Sequence, residues 1–210
     1  MLKIYILAAA LAASIAASPA ANSATPDIDI GAAAQVVNHV YGTPESSRQP
    51  RWWRPGLDVF HNETVVTEDA SASRVIFLDD SQLSIGPTSW LKLDNFVYNP
   101  SPSDKTVAIS FLRGVFRFVG GKMSGENFKI TTPAASIGVR GTAFTVYILQ
   151  NGSEYISVES GIISVTCHQG ATRFIRAGEM TYISSPYASA TAPRRAVPIP
   201  AVLQMDALLH

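Results

Sequence analysis

Few side chains in this sequence stand where their types and spacing could do chemistry, and Arg140 comes first. It sits in Ile137-Gly138-Val139-Arg140-Gly141-Thr142. A turn there would leave five guanidinium donors free for an anionic ligand or a partner's carboxylate. It could equally fold them inward, as a staple on backbone carbonyls or an acid. Fixed turns need such staples, which favours the inward reading. Trp52-Trp53, set among Arg48, Arg51 and Arg54, is the second feature. Adjacent aromatics in a basic segment can form a platform for sugar stacking or partner docking. Neighbours in a strand face opposite ways, so one of the two indoles belongs to a core.

The remaining candidates are weaker. His61-x-Glu63 puts two metal-ligand types on one strand face, but no third donor follows at metal-site spacing. Cys167-His168 pairs a nucleophile with a base only on paper, because in a strand the two side chains diverge and the thiol reads as core. Asp58, Asp79 and Asp80 do not form a calcium loop of the D-x-D-x-D-G kind. No Ser/His/Asp set, phosphate loop or carboxylate pair stands out. The residues therefore predict no enzyme, no metal and no cofactor.

The 210 residues hold 16 basic and 16 acidic side chains and one cysteine. A neutral balance gives no electrostatic footprint for nucleic acid, so no nucleic-acid partner is expected. A lone thiol excludes an internal disulfide framework. Lys3 followed by the apolar run Ile4–Ala17 and the small residues of Ser18–Ala24 reads as a cleaved signal peptide over residues 1–23. That run is shorter than a membrane span needs, and no later stretch is long and apolar enough to span. The mature chain, beginning near Ala21 or Ala24, is expected in the periplasm or secreted.

From Val36 to Ile183 the chain breaks into short β-type runs punctuated by Gly, Pro, Asn and Asp. Phe144, Val146 and Ile148 share one face of such a run; Ile163, Val165 and Cys167 share one face of another. Residues 24–184 are thus read as one all-β domain. Residues 185–210, rich in Pro and Ala, are read as an extended, mobile tail with at most one short closing helix carrying Leu203, Leu208 and Leu209. Leu112-Arg113-Gly114-Val115 and Glu159-Ser160-Gly161-Ile162 echo each other, as if the chain turned sharply at corresponding places in successive layers. A short β-solenoid or a compact β-sandwich would explain that echo.

The stretch Phe128–Val146, with Thr131-Thr132-Pro133-Ala134-Ala135 leading to Gly138-Val139-Arg140-Gly141-Thr142-Ala143-Phe144, resembles the FecR domain family. Segments at Trp53–Thr67, Ser73–Pro87, Val158–Val165 and Ala177-Gly178-Glu179 continue the resemblance, which covers roughly Val37 to Ile183. It implies the FecR-type all-β fold and makes Thr132, Pro133, Gly138, Gly141 and Thr142 a structural motif. It also implies an exported binding module: a protein-interaction, scaffold or sensor domain working with an envelope protein partner. The alternative is a carbohydrate- or peptidoglycan-binding protein that uses the Trp52-Trp53 platform on a cell-wall component. Where the family usually has an Asp-Gly-Ser turn this chain reads Asp79-Asp80-Ser81, so the turn must change geometry or tolerate strain.

Overall fold

Runs of β-branched and aromatic residues that alternate with polar ones make strands with one face turned to a core, and such strands dominate the chain. The computed structural model describes residues 27–97, 106–122 and 128–210, without the side chains of 95–97, 106, 107 and 140. The expected leader lies outside the described residues. Eight strands come first: β1 (Asp29–Val37), β2 (Val40–Thr43), β3 (Arg51–Trp52), β4 (Leu57–Phe60), β5 (Thr64–Thr67), β6 (Ala72–Phe77), β7 (Gln82–Ile85) and β8 (Trp90–Val97). Three strands of 14 residues follow, β9 (Thr106–Val119), β11 (Ala135–Ile148) and β12 (Glu154–Cys167), with the short β10 (Phe128–Thr131) between the first two. The chain closes with β13 (Thr172–Arg176), β14 (Glu179–Ile183), β15 (Arg194–Arg195) and the helix α1 (Pro200–Leu209).

The all-β expectation holds. Every ladder among the described residues is antiparallel except β9–β10, whereas stacked solenoid rungs pair in parallel. The strands form one continuous sheet that folds over on itself in barrel-like fashion. Its first layer runs β3-β2-β5-β8-β9-β10-β11-β12-β13 and its second runs β15-β14-β12-β11-β9-β7-β6-β1-β4. The long strands β9, β11 and β12 belong to both. Residues 106–113 of β9 pair with β8, whereas 114–119 pair with β11 and 116–119 also with β7.

Folding over poses a packing problem, because side chains alternate faces and the inward set must stay inward in both layers. The chain solves it with an odd step at each bend. The main-core apolar side chains that flank the bend are Phe111 and Phe116 in β9, Val139 and Phe144 in β11, and Val158 and Ile163 in β12. A step of five residues switches the inward parity, which a regular strand cannot do. Register shifts mark the place in the β11–β12 ladder between Arg140 and Phe144. The Arg-Gly-Thr block is thus a bulge inside one continuous strand and not a corner between two strands. Phe111 and Phe116 stack across their bend at 4.2 Å, and Phe118 meets Phe128 of the other layer at 4.5 Å. Each such fully buried aromatic contributes roughly 1.5–3 kcal/mol.

Two early and late segments differ from expectation. Residues 29–35, which precede the β-type runs read from Val36 onward, are most of β1, because Ile30 and Ala33 reach the core. The C-terminal segment is not a free tail. Ala190 is buried, β15 pairs with β14, and α1 seats Met205 and Leu209 on Ala72 and Val115 of the second layer's outer face. Of the three leucines proposed to line that helix, Leu209 is buried, Leu208 packs beside it and Leu203 points to solvent. The proline-rich run hides this packing in the sequence because its apolar residues follow no regular period.

Gly141 and Gly161 face each other at the bend with φ of 59° and 78°. A β-carbon on Gly141 would meet nothing within 4 Å, whereas one on Gly161 would lie 2.5 Å from Thr142 Cγ2 and 2.9 Å from the Gly141 carbonyl oxygen. Gly141→Ala should therefore cost about 1 kcal/mol from the left-handed backbone alone, and Gly161→Ala about 2 kcal/mol or more from strain plus overlap. Urea midpoints check the order, and equal losses would contradict this account of the bend. Truncation after Ile199 should lower stability by about 3 kcal/mol through loss of the buried Met205 and Leu209, read as a fall of several degrees in Tm. An unchanged Tm would restore the free-tail reading.

Candidate functional site

Two carboxylates that alternation places among inward side chains organise the interior. Glu63 shares its parity with Val65 and Thr67 and is fully buried. Its Oε1 accepts from Arg51 Nε and Trp53 Nε1, each at 3.1 Å, and its Oε2 accepts from Arg51 Nη2 at 2.8 Å and the Phe60 amide at 2.9 Å. Arg51 also lies over the Phe60 ring at 4.3 Å and donates to the Asp58 carbonyl. Gly42 packs so closely on this cluster that a β-carbon there would strike both Glu63 and Trp53. A buried acid with four donors is an internal junction, and removing one partner of such a pair typically costs about 3–5 kcal/mol.

Glu154 is also a fully buried acid, with the inward parity of Ile156 and Val158. Thr132 Oγ1 donates to it at 2.7 Å and the Ala134 amide at 3.0 Å, so it clamps the Thr132-Pro133-Ala134-Ala135 turn. That turn closes on itself through Thr132 N to the Ala135 carbonyl and Ala135 N to Thr132 Oγ1. His168 Nε2 lies 2.8 Å from the Pro133 carbonyl oxygen. Burial pushes the Glu154 carboxyl up to about 7, against the opposing pull of the Thr132 and Ala134 donors and of nearby His168.

The sequence-predicted site residues scatter accordingly. Trp53 is a core residue, 5% exposed, so the Trp52-Trp53 pair makes no common platform. Trp52 alone faces out, 63% exposed, with edge contacts to His39 at 5.6 Å and Tyr41 at 5.5 Å. The Arg140 backbone pairs with Ile162 in the bend, and its side chain lies outside the described residues. Thr142 beside it is buried, and its Oγ1 has no hydrogen-bond partner among the described residues. Gly138 leaves room for Ser164 Oγ. Asp80 takes the left-handed conformation, φ 65°, that a glycine would adopt more cheaply, while Asp79 Oδ1 accepts from the Ser81 amide and hydroxyl. Cys167 and His168 point apart: the thiol is buried and accepts from the Ala190 amide at 3.2 Å. Among the described residues no three His, Cys, Asp or Glu side chains gather as a metal site.

What remains outside is the outer face of the first layer, which α1 does not cover. Cross-strand register lines up Trp52, Tyr41, Val66, Trp90 and Arg113 on it, one from each of five successive strands. A parallel row two residues along starts at Thr43, opposite Thr64, which faces Lys92, which in turn faces Ser110. The row passes on from Ser110 to Thr131, Ser136, Thr166 and Thr172. All eight side chains are half-buried or exposed. Seven hydroxyls and one ammonium thus cross eight strands at the ~4.8 Å strand spacing, about 34 Å in all. Sequence reasoning missed Tyr41, Trp90 and the hydroxyl row; the outward parity of Trp90 and Lys92 against Leu91 and Leu93 was the available signal.

With this geometry in hand, comparison with known proteins is decisive for the family. The profile described as FecR protein matches residues 63–171, just over half of the chain. The chain belongs to the FecR family. The match begins at the Glu63 junction and takes in the Glu154 clamp and all three shared strands of this FecR domain. Two crystal structures of a candidate anti-sigma factor from Parabacteroides distasonis, at 2.50 and 1.65 Å resolution, are similar in fold. Each is 15% identical, with TM-scores of 0.51 and 0.50, over 63% of this chain and 59% of the other. The chain therefore spans less than two thirds of the length of these solved relatives. A comparison with curated proteins returns no match.

The raised Glu154 pKa sets a pH dependence. The folded chain holds this proton more tightly than the unfolded one, whose carboxyl titrates near the ordinary 4.5. The stability linked to it is complete below that value and is lost as the pH climbs through about 7. Urea melts should show on the order of 3 kcal/mol less stability at pH ~8 than at pH ~4 from this group. Glu154→Gln should flatten that slope, and a variant with the parent's slope would refute the assignment.

Proposed function

We propose that this FecR domain is a non-catalytic interaction module of an envelope signalling or sensing complex, working in the periplasm through a protein partner. The observation that carries the reading is the division between inside and outside. The groups that could do chemistry, Glu63 with Arg51 and Glu154 with Thr132, spend their hydrogen-bonding capacity on holding turns. The outer face of the first layer is meanwhile left uncovered by α1, which packs on the second layer. Family membership supports the signalling context, as do structural neighbours described as a candidate anti-sigma factor. The leader read in residues 1–23 supports export, and among the described residues no helix is long and apolar enough to cross a membrane.

Crosslinking in intact cells, followed by capture of the domain from envelope extract, tests this reading. The expected result is one protein partner recovered in stoichiometric amount. Recovery of no crosslinked protein would overturn it. So would hydrolytic activity of the purified protein that a single substitution abolishes.

A further inference from the structure

The outer face of the first layer has a composition that an ordinary protein-docking surface lacks. Protein interfaces are built on an apolar centre and are depleted in serine and lysine. Here the centre is the row of hydroxyls from Thr43 to Thr172, bordered by exposed aromatic rings. Trp52 and Trp90 stand on one side, 63% and 46% exposed, about 14 Å apart across three strand spacings. Phe174, 59% exposed, stands on the other, in the row that pairs Lys129, Gly138, Ser164 and Phe174. Aromatic faces beside ordered hydroxyls suit a ligand that is itself a chain of apolar ring faces edged with hydroxyl groups. The hydroxyls repeat at the strand spacing, close to the length of one pyranose unit, along a line perpendicular to the strands.

Charge narrows the ligand further. Asp94, beside the row, is already engaged by Ser110 and by Lys92 at 3.6 Å. Lys129 and Arg113 are exposed and have no acidic partner among the described residues. Arg113 closes the aromatic row beside Trp90 and lines a cleft of about 360 Å³ with Tyr147, Gln150 and Asn151. A nucleic acid would need many more cations than this face offers. A glycan with widely spaced carboxylates matches two or three.

We propose that this face binds an extended acidic polysaccharide, laid across the strands along the hydroxyl row, with its rings on Trp52 and Trp90 and a carboxylate at Arg113. The inference rests on the reading of the domain as a binding module, but not on its having a protein partner.

Titration calorimetry of the purified protein with polygalacturonate as the acidic probe and dextran as the neutral one tests it. Binding to polygalacturonate is expected, weakening as salt rises, with dextran at least tenfold weaker. Trp52→Ala with Trp90→Ala should cut affinity at least tenfold, and Arg113→Gln several-fold. Thr64→Val with Thr131→Val, which keeps β-branched shape and removes two hydroxyls, should also cost several-fold. These positions are on the surface, so melting curves should stay near the parent's and separate lost binding from lost folding. Absence of binding to polygalacturonate, equal binding to dextran, or binding indifferent to the tryptophan pair would each overturn the proposal. Capture of an envelope protein that the same tryptophan substitutions abolish would assign the face to that protein instead. Failure to capture any protein, with polygalacturonate binding intact, would sink the protein-partner reading alone.

Discussion

Everything in this fold follows from the odd step that β9, β11 and β12 take where they pass from one layer to the other. A strand that folds over without it would turn its apolar side chains outward in one of its two halves. With it, Phe111 and Phe116, Val139 and Phe144, and Val158 and Ile163 all point into one core. The left-handed glycines at 141 and 161 make the step sterically cheap, and the facing bulges of β11 and β12 keep the ladder in phase on both sides. The signature Arg-Gly-Thr block belongs to this geometry first, whatever its arginine also does.

The buried carboxylates of Glu63 and Glu154 do a related job for segments that the ladders do not hold. Glu63 draws together β3, the turn after β4 and the basic Arg51, and Glu154 closes the Thr-Pro-Ala-Ala turn between β10 and β11. Each satisfies backbone amides that would otherwise lack partners in the interior. Acids, arginines and threonines used this way are withdrawn from chemistry. That is why polar residues of catalytic type can coexist with a surface whose features are rings and hydroxyls.

Much of the strand content was legible because alternation is a local property. The alternating faces at Phe144, Val146 and Ile148 and at Ile163, Val165 and Cys167 lie within β11 and β12 as strands, and the echo at Gly114 and Gly161 marked real bends. What was lost depended on partners far along the chain. Trp53 could be told from Trp52 only once Glu63, ten residues later, was known to be inside. Glu154 shows its role only against Thr132, and Met205 only against Ala72 and Val115. The hydroxyl row is invisible in sequence for a stricter reason: its members lie on eight strands, and only cross-strand register makes them neighbours.

The sharing of three strands between both layers has a kinetic side. Neither layer can be completed alone, since each needs half of β9, half of β11 and half of β12, and the second layer also needs β1 from near the start of the chain. Closure therefore waits on contacts between residues far apart in sequence, the situation that makes β proteins slow to fold. Until β12 is in place one edge of β11 stays unpaired, and unpaired strand edges invite other chains. A chain built this way gains a rigid frame without hinges and passes through its most association-prone state just before the last long strand docks.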